Sequence, residues 1–262
     1  MSDSLVLYEV DAATRCAVLT LNRADKRNAL SRGLIDAIGA ACTRAAQDAA
    51  VRSVILTGAG PVFCAGMDLA ELQESVSKGE HESPVWDDAL RLARVYDLLY
   101  RLPKPTIAAV NGAAVAGGAG LVSVCDLALA VHEAKFGYPE VRRGLVAAMV
   151  MPHLLRLVGE RMGRYLLLTG ELIDAEAAAR AGFVNSVVPA GELLGRARDV
   201  ARSLAEGGPN ALARTKDLLT QFSRQAASVE EAAKASAAPR LSDECRQGLE
   251  AFFAKRPVPW AP

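Results

Sequence analysis

Thr106-Ile107-Ala108-Ala109-Val110-Asn111-Gly112 is a short apolar run that stops at a glycine turn. The chain continues through Ala116-Gly117-Gly118-Ala119-Gly120 into a helix-forming stretch that reaches Cys125, and Leu127–Val131 follows as another apolar run. Strand, turn, helix and strand in such close succession describe short parallel strands buried on both faces. The same order occurs upstream. Residues 52–57 read as a buried strand, Gly58-Ala59-Gly60-Pro61 as a turn, and Phe63-Cys64-Ala65-Gly66-Met67-Asp68 as a second glycine turn. The repetition predicts an α/β core.

The flanks extend this picture. Residues 5–10 and 15–21 are β-rich runs separated by Asp11-Ala12-Ala13-Thr14 and predict a hairpin. Ser31 is placed to cap a helix whose apolar positions Leu34, Ile35 and Ile38 share one face. Residues 70–88, with Glu71, Glu74, Lys78, Gly79, Glu80, His81 and Pro84, are polar and poorly periodic. They read as a mobile surface segment that could act as a lid. A helix is expected from about Asp87 to Arg101, stopped by Pro103 and Pro105. From Ala147 onward helical patterns cover 149–158, 160–168, 174–180, 190–206, 209–223, 228–237 and 242–254, with one short strand at 184–188. The expected division is an α/β core over residues 1–195 and a helical region over 196–262, with no flexible linker between them.

The 262 residues are 51% hydrophobic, enough for one large domain with a full core. Thirty basic and thirty acidic side chains balance to zero net charge, so no general attraction to nucleic acid or acidic membranes is expected. The five cysteines are scattered and odd in number, which predicts reduced thiols rather than disulfides or a metal site. Met1-Ser2-Asp3-Ser4 has none of the basic and apolar regions of a secretory leader, and the expected location is cytoplasmic. The apolar stretch 106–131 is interrupted by Asn111, glycines and Asp126, and reads as core rather than a membrane span.

Either glycine turn alone is an ordinary strand-to-helix turn. Together they can aim two backbone N–H groups at one oxygen, the arrangement that stabilises an oxyanion. Neither turn is a dinucleotide fingerprint or a P-loop. Glu140, in Phe136-Gly137-Tyr138-Pro139-Glu140, is the carboxylate placed to move a proton beside them. Burial in an apolar site would raise its pKa and suit it to base chemistry near neutrality. Asp68 and Asp126 read as caps. His81, His132 and His153 form no metal or triad spacing. Arg142 and Arg143 are either solvated or available to a carboxylate of the substrate. Met149 and Met151 belong either to the core or to a Met-lined pocket.

The fragments Leu19-Thr20-Leu21-Asn22-Arg23, Asn28-Ala29-Leu30, Val54-Ile55-Leu56-Thr57-Gly58, Phe63 to Leu69, Lys104 to Gly112, Cys125-Asp126-Leu127, Phe136 to Glu140, Leu168-Thr169-Gly170, Ala181-Gly182-Phe183-Val184 and Phe252 to Pro257 occur in fixed order along nearly the whole chain. In that order they resemble the crotonase, or enoyl-CoA hydratase/isomerase, superfamily. The resemblance implies a spiral of ββα repeats with a helical C-terminal trimerisation region, assembled as a homotrimer or homohexamer. It implies an acyl-CoA thioester substrate, with no metal and no cofactor beyond the coenzyme A that the substrate carries. Carried onto this chain, it makes Met67 and Gly117 the oxyanion donors and Glu140 the acid/base. It also places Asn28, Ala29, Leu30, Ala65, Asp68 and Lys255 on the coenzyme A side.

One departure bears on the chemistry. Hydratases of the two-glutamate type carry a further Glu in the helix after the second turn, and here that position is Gly120. A single carboxylate suits a proton shuttle between C2 and C4, hence an isomerase, although hydration stays open. An idle acyl-CoA-binding member, or a hydrolase or decarboxylase on the same scaffold, are the alternatives.

Overall fold

The computed structural model describes residues 4–77, 82–222 and 229–257. The N-terminal hairpin forms as expected. β1 (Val6–Asp11) pairs antiparallel with β2 (Cys16–Leu21), Val6 opposite Leu21 and Asp11 opposite Cys16. The Asp11 carboxylate closes the turn by accepting the N–H groups of Ala13 and Thr14 at 2.9 and 3.3 Å.

β3 (Ser53–Gly58), β5 (Thr106–Val110), β7 (Leu127–Val131) and β10 (Ser186–Val188) extend the hairpin into a six-stranded sheet in the order β1-β2-β3-β5-β7-β10, parallel from β2 onward. Ile107, Ala108, Ala109 and Val110 of β5 are all fully buried. Burial on both faces is why these strands read as continuous apolar runs rather than alternating ones. A second sheet, β4-β6-β8-β9, is built from β4 (Val62–Cys64), β6 (Ala113–Val115), β8 (Lys135–Gly137) and β9 (Leu172–Asp174). The chain therefore visits the large sheet, the small sheet and then a helix three times over. The helices are α2 (Leu69–Ser77) with α3 (Glu82–Arg101), then α4 (Gly117–Val124), then α5 (Met151–Thr169).

α1 (Arg32–Gln47) starts where expected. The Ser31 hydroxyl accepts the Leu34 N–H at 3.2 Å, and Leu34, Ile35 and Ile38 are buried. α5 breaks at Gly159, whose backbone leaves the helical region at φ 70° and ψ 170°, between the two helical patterns seen in the sequence.

The expectation for residues 70–88 needs correction. α2 occupies Leu69–Ser77, and α3 begins at Glu82 rather than near Asp87; residues 78–81 lie outside the described residues. Among the described residues, Glu71, Ser75 and Asp88 of this stretch are bound by Arg32. The Arg32 guanidinium donates to both Asp88 oxygens at 2.6 and 2.7 Å and to the Ser75 hydroxyl at 2.6 Å. Its backbone N–H donates to Glu71 Oε2 at 2.8 Å. Leu72 is buried beneath them. Two helices tied to α1 in this way are scaffold, and the lid reading is dropped for the described part of the segment.

The rest is helical: α6 (Ala175–Arg180), α7 (Leu193–Glu206), α8 (Pro209–Phe222), α9 (Val229–Ala237) and α10 (Asp243–Phe253). Residue 195 falls inside α7, which packs on β3, β5 and β7 and so belongs with the sheet it covers. α8 is anchored by Lys216, whose ammonium donates to Asp126 at 2.5 Å and to the Lys104 carbonyl at 3.0 Å. α9 lies along α3, while α10 rests on α2 and on the short 3-10 turn Pro139–Arg143. The C-terminal helices thus fold back over the end of the molecule where the two glycine turns lie. Among the described residues no helix is long and apolar enough to cross a membrane.

Candidate active site

Two glycine contacts bring the turns together. Gly118, in the first turn of α4, passes so close to β4 that a Cβ there would fall 2.2 Å from the Cys64 carbonyl oxygen. Gly66 has φ +90°, and a Cβ on it would lie 2.8 Å from Ala116 Cβ and 3.2 Å from the Gly117 nitrogen. Side chains at either point would push the turns apart. Leu30 then fixes the orientation of the first turn. Its N–H donates to the Gly66 carbonyl at 2.8 Å, and its carbonyl accepts the Asp68 N–H at 3.1 Å. This parallel bridge turns the N–H of Met67 away from Leu30.

On the second turn, Gly117 is the first residue of α4, so its N–H has no acceptor within the helix. Ala116 before it is held at φ 52° and ψ −124°, a conformation that costs a non-glycine residue about 1–3 kcal/mol. The surrounding structure imposes it: the Ala116 N–H donates to the Gly137 carbonyl at 2.8 Å. Both Met67 and Gly117 line a cavity of about 120 Å³, shared with Ala65, Glu140, Met149 and Arg240.

Glu140 enters this cavity from the 3-10 turn that Pro139 starts. The residue is reached in part from the cleft, yet Oε2 is buried and has no hydrogen-bond partner. Desolvation pushes its pKa up to about 7, against the opposing pull of Arg143 and Arg240. A carboxyl so placed is available in both protonation states near neutral pH.

The space across from it explains Gly120. A Cβ at that position would sit 2.5 Å from the Tyr96 hydroxyl oxygen and 2.6 Å from Val150 Cγ1. Tyr96, buried on α3, fills the volume and donates to the Gly117 carbonyl at 2.7 Å. No motif in the sequence points to Tyr96 beyond the glycine it faces. It also missed Arg240, which no motif marks and which the C-terminal helices bring to the cavity.

The other expected site residues divide. Asn28, Ala29 and Leu30 run beside Ala65–Asp68, where the Arg27 carbonyl accepts the Ala65 N–H at 3.0 Å. The Asn28 side chain is spent internally: Oδ1 accepts from the Arg23 N–H at 2.9 Å, and Nδ2 donates to the carbonyls of Ala59 and Val62 at 3.0 and 2.8 Å. We expect Asn28→Ala to lower stability by about 3 kcal/mol, since it strands three part-buried groups at a left-handed position. A urea midpoint unchanged from wild type would refute that. Asp68 accepts from Ala70 N–H at 3.1 Å and from Arg23 at 2.9 Å. Asp126 accepts from the Thr106 N–H at 2.7 Å. Lys255 is exposed just beyond α10 and is not part of the cavity wall.

Of the basic and sulfur residues, Arg142 donates to the Thr169 carbonyl at the surface, whereas Arg143 faces the cleft. His132 pairs with Glu176 at 2.7 Å. His153 is buried against Tyr100, and its pKa is pushed down to about 3 by desolvation and Arg156. All five cysteines are buried free thiols.

Comparison with known proteins agrees with the geometry. The family model described as enoyl-CoA hydratase/isomerase matches residues 11–262. A Thermus thermophilus protein provisionally named enoyl-CoA hydratase is 42% identical over 245 residues, covering 92% of this chain and 95% of its own. A crotonyl-CoA hydratase from Syntrophomonas wolfei is 35% identical over 92% of this chain and 93% of its own. The crystal structure of an enoyl-CoA hydratase from Mycobacterium avium superposes with a TM-score of 0.84 at 33% identity, covering 99% of this chain and all of that one. The chain is a crotonase-fold enzyme of the enoyl-CoA hydratase/isomerase family.

Proposed function

We propose that this enzyme hydrates or isomerises a short enoyl-CoA thioester with one carboxylate, Glu140, as its only acid/base. The observation that carries the reading is Glu140 itself: a buried carboxyl with a free oxygen and a pKa near 7, in the same cavity as two glycine turns. The thioester oxygen sits against the N–H groups of Met67 and Gly117, which stabilise the negative charge as the thioester becomes an enolate. Glu140 takes a proton from water or from C2 and returns it. Both hydration and double-bond migration pass through that enolate, so one base serves either. Tyr96 occupies the space a second carboxylate would need. Coenzyme A arrives as part of the substrate, its nucleotide end along Asn28-Ala29-Leu30, Ala65 and Asp68, with Lys255 at the rim.

The test is a product analysis with a 2-enoyl-CoA and a 3-enoyl-CoA of four to six carbons. A 3-hydroxyacyl-CoA, or the migrated double bond, is the expected product. Acyl-CoA binding without turnover of any member would overturn the reading in favour of an idle binding protein. Release of free coenzyme A would overturn it in favour of a hydrolase.

The proposal includes self-assembly. Leu168 is 70% exposed and Leu172, Tyr165, Leu219, Phe252 and Phe253 are each more than 40% exposed, more large apolar surface than a monomer commonly leaves bare. Light scattering is expected to give the mass of a trimer or hexamer, and a 27.6 kDa particle at micromolar concentration would contradict that.

A further inference from the structure

Arg240 is 2% exposed, which is rare for arginine, and yet the residue lines the cavity that holds Glu140. One of its nitrogens donates to the Ser236 hydroxyl at 3.1 Å. The other terminal nitrogen, NH1, is buried without an acceptor. A buried cation with a donor unsatisfied is costly unless something pairs with it.

The acidic groups whose charge acts on Arg240 do not supply that partner. Asp88 already accepts two hydrogen bonds from Arg32, at 2.6 and 2.7 Å, and one from Ser75 at 3.2 Å. Glu140 makes no hydrogen bond to Arg240, and its Oε2 remains open. Cys245 is a protonated thiol whose pKa burial pushes up to about 11. The same cavity is lined by Arg143, whose guanidinium is set over the Phe252 ring at 4.8 Å with its Nε buried and unpartnered. Two guanidinium-bearing residues with donors to spare therefore line the cavity beside the carboxyl of Glu140.

We infer that Arg240 receives a carboxylate carried at the far end of the acyl chain, so that the preferred substrates are short enoyl-CoA thioesters of dicarboxylic acids. This deepens the proposed function and rests on the cavity being the acyl site. A guanidinium presents paired N–H donors in the plane a carboxylate requires, and the Ser236 hydroxyl beside it offers one more. The volume suits a short chain: a pocket of about 150 Å³ takes a benzene ring, and this one measures about 120 Å³.

Two measurements test it. The first compares kcat/KM for glutaconyl-CoA with that for crotonyl-CoA, which differ by the terminal carboxylate. Wild type is expected to favour the charged ester. Arg240→Met keeps the length of the side chain and is expected to lower the ratio of the two kcat/KM values roughly 10²–10³-fold, the usual result of removing one partner from a buried charge pair. A merely structural role for Arg240 would weaken both substrates alike, and an unchanged ratio would overturn the inference. The second measurement uses no variant. Calorimetry on the wild-type protein compares glutaryl-CoA with valeryl-CoA, neither of which needs to react. Glutaryl-CoA is expected to bind at least tenfold more tightly. Valeryl-CoA binding equally well or better would sink the carboxylate site while leaving the role of Glu140 intact.

Discussion

Glu140→Gln will lower kcat by roughly 10²–10⁴-fold, the contribution typical of a positioned acid/base. The amide keeps the shape of the side chain and cannot take the proton. Affinity for coenzyme A should stay near wild type, because in the proposed reading Glu140 does not hold the nucleotide end. The same substitution should stabilise the fold in a pH-dependent way. Glu140 titrates at about 7 in the folded protein and at 4.5 when solvated. Below pH 4.5 the carboxyl is protonated in both states and costs nothing. Between 4.5 and 7 the folded state binds the extra proton, so stability falls as pH rises. Above 7 the full difference applies, about 3 kcal/mol for a group this deeply buried. Glutamine carries no such penalty. Urea denaturation should therefore show the variant more stable than wild type at pH 8 and equal to it near pH 4.5. A gap that is constant with pH would show that Glu140 is not held in a desolvating site.

Gly66→Ala will abolish most turnover by a different route. A methyl group at φ +90° is strained, and it lands 2.8 Å from both Ala116 Cβ and the Val115 carbonyl oxygen. The two turns must part, and the N–H groups of Met67 and Gly117, proposed to share one oxygen, are then drawn apart. Removing one donor from an oxyanion site costs about 10²–10³ in kcat, and that is the loss expected here. The strain adds about 1–3 kcal/mol of destabilisation, so kcat must be measured well below the melting temperature. Wild-type kcat in a folded Gly66→Ala protein would remove Met67 and Gly117 from the chemistry.

Where the sequence was readable, a local cause was strong. β3 and β5 are buried on both faces and so appear as unbroken apolar runs. The break at residue 159 showed because Gly159 interrupts two amphipathic patterns. Glu140 stood out because it follows a glycine-proline turn that feeds straight into the cavity. Failures came from long-range contacts. The charges of α2 and the start of α3 looked like those of a loop, since Arg32, far back in the chain, is what neutralises Asp88 and orders Ser75. Gly120 showed as an absent carboxylate, but the reason, the Tyr96 ring, lies 24 positions earlier on another helix. Arg240 could not be seen at all. Nothing in Ala238-Pro239-Arg240-Leu241 marks a buried arginine, and only the return of the C-terminal helices over the glycine turns creates its site.

The central claim is that one carboxylate moves the proton, and solvent deuterium tests it most directly. The short enoyl-CoA that the enzyme turns over fastest is incubated in D₂O with wild type and with Glu140→Gln, and the deuterium content at each carbon of the product is read by NMR. Wild type is predicted to deliver solvent deuterium to C2 in hydration, or, for migration toward the thioester followed with a C2-deuterated substrate in H₂O, to carry that deuterium to C4, and the variant to form essentially no such product in the same time. Labelled product formed by Glu140→Gln at the wild-type rate would contradict the account.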